Sequence, residues 1–368
     1  MRDHGGVVEV LTVNLVDIMD PRLLKDVLAG DAALVQECVD EGADVTKQNS
    51  NGANALHIAA YKGHSLVCQI LLDNGSDITN EDNAGQTALH YAASEGHADV
   101  CSLLLEKGSD VTHTDNMGWT SLHHAAREGQ ALVCLLLMEN GADVTTTNNQ
   151  GWNALSLAVK AGRPVVCQIL LENGADMTST DSMGWTLLHY AARFGHSAVC
   201  WILLENGAEV TKRDNMGVIA LHCASKAGHT ATCQILLEKG ADVMITDDMG
   251  WTALHHAASE GHTAVCQILT SVHKSVSSGH PTVPLPLAAD FAFVSAMNHQ
   301  GITSLHYACQ NGHLQTVLAL CKAGADMTAV SDDGIAPIHG AAGLGHTDIV
   351  MALVSAGCDI NMVNISKL

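Results

Sequence analysis

The string Leu-His-x-Ala returns with its Leu at 56, 89, 122, 155, 188, 221 and 254, a constant step of 33 residues. A fixed period of that length means that one small unit is repeated. No such unit buries its apolar face alone, so the core has to be built by stacking neighbours. Ser156 replaces the His in the fourth copy, and the pattern resumes at Leu305, 51 residues on, and at Ile338, another 33. Residues 16–48 fit the same template, with Leu23 where Leu56 falls and Gly30 where Gly63 falls. Ten units therefore account for 330 of the 368 residues. The chain divides into a leader (1–15), a capping repeat (16–48), a main stack (49–270), an insertion (271–297), two further repeats (298–363) and a tail (364–368).

Within a unit the residue pattern predicts two short helices and a loop. Thr87 can cap a helix running from Ala88 to Glu95, and Gly96 ends it in a left-handed turn. A second helix is expected over 98–106, with Val100, Cys101, Leu103, Leu104 and Leu105 forming its buried stripe. Gly108 stops it, and the chain reaches out to a tight turn at Asp115-Asn116-Met117-Gly118, the tip of a hairpin-like finger. Hydrophobic residues make up 47% of the chain but aromatics only 3%, so Leu, Ala, Val, Ile, Met and Cys must fill the core. That suits closely stacked small helices.

The segments QTALHYAASEGHADVCSLLLEKGSDVT and WTSLHHAAREGQALVCLLLMENGADVT, with their copies, resemble the ankyrin repeat. The resemblance covers about nine tenths of the chain. Ala or Ser usually stands where that family has Pro in its T-P-L-H motif, Pro337 being the exception, and Thr replaces the usual Asn after the A-D-V loop. The resemblance implies an all-α ankyrin-repeat solenoid of about ten helix-turn-helix units with hairpin-like fingers. It also implies a gently curved stack whose first helices and fingers line a concave groove. Partners of such a groove are proteins, and no cofactor is implied. The family includes substrates of asparaginyl hydroxylation, for which only Asn361 resembles a target here.

Charge limits the partners further. With 17 basic and 39 acidic side chains the net charge is −22, a field that repels nucleic acids and anionic membrane surfaces. No stretch of 18 apolar residues suggests a membrane span. Of the 22 histidines, eight follow the box Leu and seven occupy a Gly-His turn, where the resemblance implies hydrogen bonds to turns and neighbouring repeats in place of metal binding. Seven cysteines, Cys68 to Cys266, also step by 33 and form one ladder on the second helices. Packed helix axes lie about 8–10 Å apart, too far for successive rungs to bridge. Core thiols are expected, with a redox-reactive row as the alternative. Twelve cysteines, and an N-terminal apolar run interrupted by Asp3, Glu9 and Asp17, point to a reducing compartment, cytoplasm or nucleus. No phosphate-binding loop, nucleophile elbow, dinucleotide fingerprint or zinc motif occurs, and no catalytic or metal residue is assigned.

Positions that repeat packing does not dictate carry the functional signal. The finger residue before the box Thr or its substitute is Trp119, Trp152, Trp185 and Trp251 in four units, which uses four of the five tryptophans. A finger position is expected to face solvent, so these rings read as rigid apolar anchors for a partner. Met117, Met183, Met216 and Met249, two residues earlier, add an adaptable rim. Near the end of the first helix, Arg127, Lys160, Arg193 and Lys226 form a basic row beside that column, with Tyr61 in the same register and Phe194 next to it. Two alternatives stand beside this reading: the residues are copies of one ancestral unit, or the Trp rings pack on neighbouring fingers. The Pro-containing insertion reads as a mobile loop, a hinge or a second docking motif. The function these features predict is a non-catalytic scaffold or adaptor that holds an extended acidic or apolar protein segment. The competing reading is a regulatory subunit, inhibitory or activating, of a signalling enzyme or transcription factor. Nothing in the residues fixes the oligomeric state.

Overall fold

The computed structural model describes residues 20–276 and 293–362. The leader, the insertion from 277 to 292 and the tail lie outside the described residues. Within them are twenty helices in ten pairs. The first five pairs are α1 (Pro21–Ala29) with α2 (Ala32–Asp40), α3 (Ala55–Lys62) with α4 (Ser65–Asp73), α5 (Ala88–Glu95) with α6 (Ala98–Glu106), α7 (Ser121–Glu128) with α8 (Ala131–Glu139), and α9 (Ala154–Lys160) with α10 (Pro164–Glu172). The second five are α11 (Leu187–Arg193) with α12 (Ser197–Glu205), α13 (Ala220–Lys226) with α14 (Thr230–Glu238), α15 (Ala253–Ser259) with α16 (Thr263–Val276), α17 (Ser304–Gln310) with α18 (Leu314–Ala323), and α19 (Pro337–Gly343) with α20 (Thr347–Ser355). No strand forms among the described residues, only isolated bridges such as Thr147 to Asn153.

The chain falls into two compact units, Met1–Asp176 and Met177–Leu368. In the first unit the odd-numbered helices stack on one another in order, and so do the even-numbered ones; the second unit repeats the arrangement. Both layers close over the box Leu and the second-helix Leu of each repeat: Leu89, Leu104, Leu122 and Leu137 are fully buried, each contributing roughly 1.5–3 kcal/mol. The cysteine ladder lies in the same core. Cys68, Cys101, Cys134, Cys167, Cys200 and Cys266 are buried, and loss of hydration raises each thiol to about 12. They remain protonated and pack as small apolar groups, which removes the thiolate that a redox-reactive row requires.

One helix departs from its siblings. α14 ends at Glu238, before a Lys-Gly stop, whereas α16 runs on to Val276 because no Gly follows it. The turn between paired helices does need Gly. Gly228 has φ +77°, and a Cβ there would fall 2.7 Å from the His262 ring of the next repeat, so a side chain is excluded on two counts.

Candidate partner-binding face

The box motif fixes the finger before any partner arrives. In α7 the Thr120 N–H and Oγ1 both hydrogen-bond Nδ1 of His123, at 3.1 and 2.8 Å, closing the helix N-terminus. The far nitrogen of the same ring, Nε2, donates to the carbonyl of Trp152 in the next repeat at 3.1 Å. His90 does the same to Trp119, and His189 to Val218. Six of the eight box His (His57, His90, His123, His189, His255 and His306) hold the backbone of the finger residue one repeat on, whereas His222 and His339 reach the carbonyls of Ile245 and Met362. Burial keeps these imidazoles neutral, lowering His90 to about 3 and His222 and His255 to about 4. The Gly-His turn supplies a second tie: His229 donates to the carbonyl of Arg193 and His262 to that of Lys226, both at 3.0 Å. Six turn His (His64, His97, His229, His262, His313 and His346) thus reach the preceding repeat, the structural use that the resemblance implies.

An acidic column then aims the side chains. Oδ1 of Asp115 accepts from the N–H groups of Met117 and Trp119, both at 2.9 Å, so the finger closes into a tight turn. Oδ2 accepts from His124 Nε2 at 3.1 Å. Burial opposes the charge on Asp115, but these bonds outweigh it and hold the carboxyl at about 2. Asp247 with His256 repeats the pair, and in Asp82 and Asp181 the Oδ2 accepts from the hydroxyls of Tyr91 and Tyr190. The sequence shows Asp115, Asp181, Asp214 and Asp247 as a column of negative charge that favours solubility, but not the bonds it makes. Their signal is an Asp at the finger with His or Tyr nine residues later.

The turn throws the Met outward and the Trp inward. Met117, Met183, Met216 and Met249 are 54–63% exposed. The four Trp rings are half-buried, against the expectation that a finger position faces solvent. The reason is the first helix beneath them: Trp119 lies 5.1 Å from His124, Trp185 5.2 Å from Tyr190, and Trp251 5.0 Å from His256. Trp185 Nε1 also donates to Oδ2 of Asp214 in the next repeat at 2.9 Å.

The basic row sits on this column. Arg127 lies over the Trp119 ring at 5.5 Å, Lys160 over Trp152 at 4.1 Å and Arg193 over Trp185 at 5.9 Å. The exposed rim of each ring is therefore topped by a cation of its own repeat. Lys226 has Val218 in the Trp position and no ring to cover. In the second unit Trp185, Arg193, Phe194, Met216, Val218, Cys223, Lys226 and Met249 line a groove of about 610 Å³, together with Asp247, His256 and Glu260. Phe194 is 45% exposed at its edge. Tyr61 corrects the sequence reading: it is 8% exposed, edge-on to Tyr91 at 6.2 Å, and belongs to the core because α3 buries that face. Asn361 is exposed, with its N–H and amide group donating to Asp359. The fifth tryptophan, Trp201 on α12, is 44% exposed and lies under Lys239 at 3.8 Å, away from the finger column.

Paired antiparallel helices stacked at a 33-residue period, with fingers between pairs, define an all-α repeat protein of the solenoid type. The family model described as ankyrin repeats, in three copies, matches residues 23–115, 122–214, 211–278 and 272–364, and the chain belongs to the ankyrin-repeat family. None of the curated proteins compared with the chain matches it. Ankyrin repeats are in general protein–protein interaction modules and typically non-catalytic. No helix among the described residues is long and apolar enough to cross a membrane.

Proposed function

We propose that this chain is a non-catalytic scaffold or adaptor that binds a protein segment along its fingers and first helices. The observation that supports this best is the pairing of a cation with a half-buried Trp in three consecutive repeats, 119 with 127, 152 with 160 and 185 with 193. A ring half-covered by its own helix keeps one edge for a partner, and the cation above it adds a charge that an acidic group would seek. With 17 basic residues in a chain of net charge −22, placing four of them along this column favours an acidic segment. The exposed Met residues supply adaptable apolar contact beside it. Twelve cysteines without a disulfide suit a reducing compartment, cytoplasm or nucleus.

Capture of a natural partner by the full chain tests the reading. Substituting Trp152→Ala and Trp185→Ala together is expected to abolish capture while helical content stays near that of the parent. Loss of helical content, or undiminished capture by a folded variant, contradicts it.

A further inference from the structure

The repeats are close enough in structure for one to serve as the template for another, and the repeat of α13 lacks two large groups while keeping its cation. In the repeat of α11 the finger Trp185 packs on Tyr190 under Arg193; in the repeat of α7, Trp119 packs on His124 under Arg127. In the repeat of α13 the ring position holds Val218, the position beneath holds Cys223, and the cation remains as Lys226. Both substitutions remove volume from the same place. The groove in the second unit is lined by these three residues together with Met216, Met249 and His256. His256 belongs to the next repeat, on the side where Trp251 meets Tyr307 at 4.3 Å in its own surroundings. The groove therefore lies where an indole would stand if residue 218 were Trp.

The cations there are available. Arg193 and Lys226 are exposed, and none of the ion pairs among the described residues involves either one. Asp247, bonded to His256, and Glu260 lie in the lining as well, so the groove carries both positive charge, from Arg193 and Lys226, and negative charge.

We propose that the groove at Val218 receives an aromatic side chain of the partner, with an acidic residue beside it. The partner ring takes the place that Trp119, Trp152 and Trp185 fill in their own repeats. Lys226 lies over it as Lys160 lies over Trp152, and the acid pairs with Arg193. This rests on the scaffold reading above and narrows it to one slot and one residue type.

Short blocked peptides test the slot directly, using the full chain with its methionine methyl groups labelled for NMR. Acetyl-Glu-Trp-amide is expected to shift the methyl signals of Met216 and Met249 in a saturable way, and acetyl-Glu-Ala-amide to leave them in place. Val218→Trp inserts the chain's own indole and is expected to abolish the response with helical content unchanged. Lys226→Ala is expected to weaken binding about fivefold, the order of one cation–π contact. Unmoved Met216 and Met249 signals with the Trp peptide, equal shifts with the Ala peptide, or an undiminished response in a folded Val218→Trp chain overturns the proposal. If Val218→Trp fails to fold, the two peptides and Lys226→Ala decide it. Should the Trp152 and Trp185 substitutions abolish partner capture while the slot ignores both peptides, the slot is wrong and the scaffold reading stands. Undiminished capture by that folded double variant removes the scaffold reading itself.

Discussion

At the scale of single residues, the finger Asp column decides where each Trp points, and among the Trp-bearing repeats one member of it departs. Asn148 accepts the N–H groups of Gln150 and Trp152 through Oδ1, as the Asp residues do, which leaves its Nδ2 where they present a second carboxylate oxygen. Nδ2 of Asn148 and Nε1 of Trp119 are both buried without a hydrogen-bond partner. They stand 29 residues apart, as do Trp185 and Asp214, whose indole N–H donates to the carboxylate. Both of these groups are donors, whereas Trp185 and Asp214 supply one donor and one acceptor. Asn148→Asp should supply the missing acceptor and stabilise the fold by about 1–2 kcal/mol, read as a raised urea midpoint. An unchanged or lowered midpoint would show that Trp119 does not need that bond. The sequence made the Trp, Met and cation columns legible because each recurs every 33 residues. It did not make their contacts legible. Whether a ring lies on a helix or in solvent depends on the residue five positions later, and Tyr61 shows that sharing a register with the basic row does not confer its exposure.

At the scale of elements, the helix boundaries followed from capping residues and Gly stops, so α5 and α6 lie where the pattern places them. The continuation of α16 was not legible, because it depends on the absence of a stop where every sibling has one. The box His has a consequence at this scale. Its neutral ring accepts at the helix start and donates to the next repeat, and burial lowers His222 and His255 from an ordinary 6.5 to about 4, and His90 to about 3. The unfolded chain therefore binds these protons first. Stability is complete above about pH 6.5 and is lost as pH falls toward 4. Thermal melts at pH 7.5, 6 and 4.5 should give a progressively lower Tm, and a Tm constant across that range would mean that the rings are not buried neutral. The Asp115 carboxyl, at about 2, adds its own loss only in stronger acid.

At the scale of the molecule, the family resemblance reached the fold, while the binding face had to be built from contacts. Under the proposed function, the acidity of the chain and the placement of its few cations over the Trp column both favour an acidic, ring-bearing protein segment on the finger face. The second helices carry a different surface, with exposed Leu66, Leu132, Val165 and Trp201 and no comparable row of cations. Amide hydrogen exchange on the full chain, with and without a captured natural partner, separates the two faces. Protection is expected in the fingers and first-helix ends at 116–128, 149–160, 182–194 and 215–226. Protection confined to the second helices, such as 131–139 and 197–205, would contradict binding by the finger face.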